Sequence, residues 1–124
     1  MKLITPSRLL LGILPVALVT ALVAGGPASA ATKTLNGTVG PGFTISLKRG
    51  GKKVSKLRPG TYTFKISDKS SIHNFRLKGP GYNKAITSVG FKGTKSVRIR
   101  LKKGTYRFQC DPHASFMKGS FKVG

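Results

Sequence analysis

The chain has 124 residues, with 23 Lys or Arg against two Asp or Glu and a net charge of +21. A single cysteine excludes an internal disulfide, and two lone acids, Asp68 and Asp111, leave no carboxylate pair for acid–base catalysis. So large a positive field favours anionic partners and repels cationic ones, and it carries no information about fold.

Residues 1–30 read as a secretory signal peptide. Lys2 and Arg8 give a basic start, residues 9–24 are apolar, and Ala28-Ser29-Ala30 is a small-residue cleavage site. The apolar stretch is interrupted by Pro15, ends in Gly25-Gly26-Pro27, and is short for a membrane span of about 20 residues. No cysteine follows it, so a lipid anchor is not expected. Cleavage after Ala30 leaves residues 31–124 as one exported, periplasmic or extracellular domain. Losing Lys2 and Arg8 takes the charge from +21 to +19.

Past residue 30, turn signals recur at short intervals: Gly40-Pro41-Gly42, Gly50-Gly51, Pro59-Gly60, Gly79-Pro80-Gly81, Gly90, Gly93, Gly104 and Gly119. Between them lie alternating runs. Phe43, Ile45 and Leu47 alternate with Thr44, Ser46 and Lys48. Tyr62, Phe64 and Ile66 form a second inward set, and Val97, Ile99 and Leu101 a third. Period 2 gives one buried and one wet face, and many short strands at this spacing predict an antiparallel sandwich or barrel. No convincing helix is visible in this domain, and residues 80–88 fit no single template. "LRPGTYTFKI" (57–66) and "LKKGTYRFQC" (101–110) share Leu-x-x-Gly-Thr-Tyr-x-Phe, which fits two similarly placed strands, one in each half of a sandwich.

The same parity places unusual residues. Tyr106, Phe108 and Cys110 point inward on one strand. Phe75 and Leu77 point inward on another, which puts His73 inward at its start. Counting back from Phe121 puts Met117 inward as well, and His113 lies in the loop between Cys110 and Met117. Singly, each of these residues is more often ordinary core filling or a hydrogen-bonded histidine. Jointly, the only cysteine, both histidines and a methionine share one end of the fold. Two imidazoles, one thiolate and a weak thioether are the ligand set of blue-copper electron-transfer sites, whereas structural zinc recruits several cysteines.

At these residues the sequence resembles the cupredoxin, or blue-copper, family, with the plastocyanin and azurin branches nearest. "CDPH" is similar to the plastocyanin-type Cys-x-Pro-His step, "HASFMKGSFKV" to the azurin-type stretch leading into the last strand, and "HNF" to the first-histidine motif. The resemblance implies an all-β, Greek-key sandwich with one copper ion at its loop end. It implies His73, Cys110 and His113 as strong ligands and Met117 as the weak axial one. It also implies a tuning role for Asn74, whose backbone N–H would donate to the Cys110 sulfur. Where the family often has a hydroxyl residue after the cysteine, this chain has Asp111, an acceptor that adds negative charge beside the metal.

Three functions follow as expectations. The first is an electron carrier whose redox partner, bearing an acidic docking surface, meets the His113 edge among Pro112, Ala114 and Phe116. The second is a copper store or delivery protein, disfavoured because Met117 is the only methionine after residue 30. The third is a basic polyanion-binding module. "KRGGKKVSKLR" (48–58) reads as a solvated hairpin or, less simply, a docking patch. Nucleic acid is not an expected partner, because the basic residues are not interleaved with a stacking aromatic stripe. An enzyme is not expected either: both histidines are taken by one site, leaving none for a second copper centre. A monomer is expected.

Overall fold

The computed structural model describes residues 33–124, so the signal segment 1–30 lies outside the described residues. Ten strands form two five-stranded sheets. The first holds β1 (Thr34–Val39), β2 (Ile45–Arg49), β3 (Lys52–Lys53), β5 (Gly60–Asp68) and β8 (Gly93–Leu101), in the order β3-β2-β1-β5-β8. The second holds β4 (Lys56–Leu57), β6 (Phe75–Gly79), β7 (Tyr82–Thr87), β9 (Gly104–Gln109) and β10 (Lys118–Val123), in the order β4-β10-β9-β6-β7. Pairings are antiparallel except β1 with β5 and β10 with β4. The chain crosses between sheets after β3, β4, β5, β7 and β8, as in a Greek-key sandwich.

Inward residues alternate as the sequence predicts. Leu35, Val39, Leu47, Tyr62, Phe64, Ile66, Ile99 and Leu101 from the first sheet meet Phe75, Leu77, Tyr106, Phe108, Phe121 and Val123 from the second, all buried. Within the second sheet, neighbouring rings stack: Phe75 on Phe108 at 5.4 Å and Tyr106 on Phe121 at 5.5 Å. Residues 82–87, which fit no sequence template, form edge strand β7 with only Ile86 and Thr87 fully buried. Its apolar signal is too short to show a period.

Phe43 departs from the parity reading. Strand β2 begins only at Ile45; residues 41–43 are a bend closed by a Gly40 N–H donating to the Thr44 carbonyl at 2.9 Å. Parity extends only as far as the ladder does, so Phe43 projects outward and is 58% exposed.

The internal echo has a physical cause. Gly60 and Gly104 open β5 and β9 with φ of +149° and +142°, a conformation that L side chains rarely adopt. Two residues on, each tyrosine reaches back over its own turn. Tyr62 Oη donates to the Arg58 carbonyl at 2.7 Å. Tyr106 Oη accepts from Lys102 N–H at 2.9 Å and donates to the Pro80 carbonyl at 3.1 Å. Tyr106 therefore ties the β8–β9 turn to the β6–β7 turn. Tyr106→Phe leaves one donor and one acceptor unpaired and is expected to cost about 1–2 kcal/mol in chemical denaturation. Tyr62→Phe, which breaks one bond within a single turn, should cost less; the opposite ranking would show that the bridge is not a fastening.

Candidate metal centre

Three loops meet at one end of the sandwich, and each has its own local cause. The β5–β6 loop is ordered by the buried Asp68, whose Oδ1 accepts from Ser70 N–H at 3.1 Å, while Ser70 Oγ accepts from Ile72 N–H at 3.3 Å. These short side-chain-to-backbone turns are what Asp and Ser favour over strand continuation. They deliver His73 and Asn74, both buried, just before β6. A bulge at Phe75/Arg76 breaks the β6–β7 ladder there, and Phe75 N–H donates instead to Thr87 Oγ1 at 2.9 Å.

The β9–β10 loop contains a single 3-10 turn, Asp111–His113, the one helical segment among the described residues. Pro112 lies in its first turn, where a missing N–H costs nothing. His113 N–H donates to the Cys110 carbonyl at 3.1 Å, and Met117 N–H to the His113 carbonyl at 2.8 Å. Cys110 N–H donates to the Met117 carbonyl at 3.0 Å and closes the loop. Side chains three apart in a 3-10 turn eclipse, so Cys110 and His113 face the same way.

The result is a cluster. Cys110 Sγ stands 3.5 Å from His113 Nδ1 and 3.6 Å from His73 Nδ1. One donor atom from each residue lies within 4.8 Å of the others. The two imidazole rings meet edge to face at 4.9 Å. Cys110 and His73 are fully buried, His113 is half-buried, and Met117 is 1% exposed at the loop's closing step. His73 Nε2 is buried with no hydrogen-bond partner among the described residues, so its ring is held by packing and by what Nδ1 faces. One soft sulfur and two imidazole nitrogens around a common point fit a copper ion. With Met117, the set is a type 1 copper-like site.

Behind the cluster, Asn74 and Asp111 bond reciprocally. Asp111 N–H donates to Asn74 Oδ1 at 2.6 Å, and Asn74 Nδ2 donates to Asp111 Oδ2 at 2.9 Å. Asn74 follows one imidazole and Asp111 follows the thiol, so this pair locks the two segments together. Sequence reasoning missed two residues here. Arg76 donates through Nε to both Asp111 oxygens, at 2.9 and 3.1 Å, and through Nη1 to Asn83 Oδ1 at 3.0 Å. Gln109 Nε2 donates to Asp111 Oδ1 at 2.9 Å. Partial burial pushes the Asp111 carboxyl up, but hydrogen bonds from Gln109, Arg76 and Asn74, with the Arg76 charge, outweigh it and hold the group below its ordinary value. The negative charge expected beside the metal is thus matched by a guanidinium. No local sequence signal marks this partnership: it depends on the β6–β9 register, in which Arg76 faces Gln109 and Asp111 is two residues further on the same side.

Phe43 is the third missed residue. Its ring packs edge-on against His73 at 5.3 Å and His113 at 5.0 Å, and stands 6.0 Å from Phe116. Phe116 is 58% exposed and lies 5.6 Å from His113. Pro112 is exposed and Ala114 partly so. The rim around His113 is therefore aromatic on two sides.

The family of copper binding proteins described as plastocyanin/azurin matches residues 57–124. No curated protein matches the sequence significantly. Among solved structures, reduced rusticyanin is similar at 22% identity over 78% of this chain and 82% of that one, with a TM-score of 0.53. A second structure of the copper protein rusticyanin gives 21% identity, 77% and 80% coverage, and a TM-score of 0.53. Rusticyanin from Thiobacillus ferrooxidans gives 26% identity, 77% and 79% coverage, and a TM-score of 0.48. The first two show the fold: a sandwich shared across most of both chains.

Arg76→Gln keeps a side-chain donor but removes the charge. The ion pair is partly exposed, so a loss of about 0.5–1 kcal/mol is expected. That corresponds to a fall of about 2–8 °C in the melting temperature of the copper-free protein. Asn83→Ala, which removes only the outer anchor of the guanidinium, should shift the same melting curve less.

Proposed function

The chain belongs to the plastocyanin/azurin family of copper-binding proteins, and from that premise we propose that it is an exported electron carrier. In this reading His73, Cys110 and His113 are the strong ligands of one copper ion and Met117 the weak axial one. The observation that carries the reading is the convergence of one thiol and two imidazole nitrogens within 4.8 Å at a buried sandwich end. Copper bound there supplies a one-electron Cu(II)/Cu(I) couple. The chain's own residues supply everything else.

Cys110 lies where water is excluded, as a thiolate donor requires if it is not to be oxidised from solvent. The Asn74–Asp111 pair and the Cys110–Met117 loop closure fix the donors through hydrogen bonds that do not depend on oxidation state. A site that barely moves on gaining an electron has a low reorganisation cost. Asn74 N–H remains the proposed donor to the thiolate sulfur, with Asp111 fixing the Asn74 side chain. His113 is the only imidazole with an exposed edge, so the electron's route to a redox partner runs through it, with Phe43, Pro112, Ala114 and Phe116 forming the contact rim. Brief docking is suited to a small apolar rim of this kind.

Storage or delivery of copper fits less well. A delivery site gives up its metal readily, whereas these donors are held in two hydrogen-bonded loops and all but His113 are buried. Catalysis has no further histidine to draw on, since the chain contains two. Export rests on residues 1–30, which read as a cleavable signal. Among the described residues no helix is long and apolar enough to cross a membrane.

Adding one equivalent of Cu(II) should give intense visible absorption from thiolate-to-copper charge transfer, with a matching EPR signal, and Cys110→Ala should abolish the colour. A colourless 1:1 complex in the unaltered protein would exclude a thiolate ligand. Met117→Leu should keep the colour and raise the reduction potential in cyclic voltammetry, because it removes an electron-rich axial contact from the oxidised state. For a carrier, electron self-exchange measured by NMR should be faster by orders of magnitude than copper transfer to a chelator. The reverse order would identify a delivery protein.

A further inference from the structure

The chain's cations greatly outnumber its acids, and both acids are committed: Asp68 is buried in the β5–β6 loop and Asp111 is held by Arg76. No side-chain carboxylate is left for the remaining surface cations. Along β5 and β8 they are spread out, whereas on the β2–β3 hairpin Lys48 stands opposite Lys53 and Arg49 opposite Lys52. On the outer face of the first sheet, Lys65 stands opposite Ser96, Arg98 opposite Thr63 and Arg100 opposite Thr61. The second sheet also sets like charges side by side.

On its outer face, two adjacent cross-strand rows run over β10, β9 and β6. One is Ser120–Arg107–Lys78 and the next, nearer the metal loops, is Lys118–Gln109–Arg76. Arg107 and Lys78 are direct neighbours of like charge, an arrangement that costs stability in a sheet. Arg76 is neutralised by Asp111, while Lys78, Arg107 and Lys118 have no side-chain partner among the described residues. These three line a cleft of about 490 Å3 with Gln109, Ala114 and Ser120. Lys118 also lines a groove of about 290 Å3 whose other basic residues are Lys48 and Lys53, so the positive surface continues round the β10 edge.

We propose that the Lys78–Arg107–Lys118 cleft is the docking site for an acidic, carboxylate-bearing segment of the redox partner, beside the His113 rim. The proposal rests on the carrier reading. Two observations select a protein segment over a free oxyanion. The cleft runs to the metal loop through Ala114, next to His113, so a segment seated in it brings its own protein against the rim. Small oxyanions are usually cradled by free backbone N–H groups. Here the surrounding backbone is committed to the β6–β9–β10 ladder, and the donors are long side chains plus Ser120 and Gln109. Such donors reach outward to meet a surface.

The test uses a hexaglutamate peptide titrated into the copper-loaded protein at low ionic strength, with binding read by calorimetry and by amide shifts in NMR. Amide shifts should concentrate around residues 78, 107, 118 and 120. The triple variant Lys78→Gln, Arg107→Gln, Lys118→Gln should weaken binding at least about tenfold. A charge-matched control, Lys65→Gln, Arg98→Gln, Arg100→Gln, should weaken it less than about threefold. Retained copper colour shows that each variant is folded. Equal losses in the two triples, or no peptide binding to the unaltered protein, would overturn the proposal in favour of a delocalised field. So would displacement of the peptide by inorganic phosphate where chloride of equal ionic strength leaves it bound, because the cleft would then be a free-oxyanion site. Peptide binding involves no electron transfer, so failure here leaves the self-exchange test of the carrier reading untouched.

Discussion

The reciprocal hydrogen bonding between Asn74 and Asp111 is the constraint on which the metal end depends. The sandwich core brings β6 and β9 side by side, but their ladder runs only from Lys78–Arg107 to Arg76–Gln109. Beyond it the two chains would be free to part, and the residues that follow are the ones that matter: His73 and Asn74 on one, Cys110 and Asp111 on the other. Two bonds, at 2.6 and 2.9 Å, extend the pairing by side chain where the backbone ladder has ended. Arg76 and Gln109, the last backbone pair, both turn their side chains onto Asp111 and so brace that extension. A carboxylate suits this position because it can accept from three side chains at once, which a hydroxyl cannot.

Much of this was legible in the sequence, for a definable reason. Wherever a strand is continuous, parity propagates along it, and the inward set from Tyr62 to Ile66 and from Tyr106 through Phe108 to Cys110 needed nothing more. His73 and Met117 were also placed inward correctly, although both lie just outside their strands, because at most one residue separates each from the ladder. Phe43 shows where the method stops. A bend that begins at Pro41 resets the parity, and the exposed ring that results covers both histidines. The partnership of Arg76 and Gln109 with Asp111 required the β6–β9 register, a long-range quantity that no local pattern carries. The two-residue strands β3 and β4 are too short to show any period.

The composition also acquires a meaning that a count alone lacks. With only two acids, a random surface placement would leave each as a minor counter-charge among many cations. Instead one orders the loop that presents His73 and the other joins the segments that present His73 and Cys110. Both contribute through geometry: Asp68 is buried and Asp111 is taken up by Arg76, which leaves no side-chain carboxylate for the other cations. Concentrating the acids at the metal end and maintaining a strongly positive exterior are therefore two sides of one arrangement.

In the proposed function that arrangement separates two demands that conflict in a single patch. A carrier must find its partner quickly and leave it quickly. Long-range charge accelerates encounter and orients it, and it is screened within about 8 Å at physiological salt. Apolar contact at the His113 rim is short-ranged and favours close approach, but a large apolar patch would prolong the complex, and affinity is set mostly by the off-rate. Here the exposed aromatic surface at the rim is limited to Phe43 and Phe116, whereas Lys78, Arg107 and Lys118 lie to one side on the β6–β9–β10 face. Such a layout lets charge select and orient the partner while a small rim supplies the contact for transfer. The ion pairs formed would be solvent-exposed and individually weak, so the complex would form fast without becoming tight.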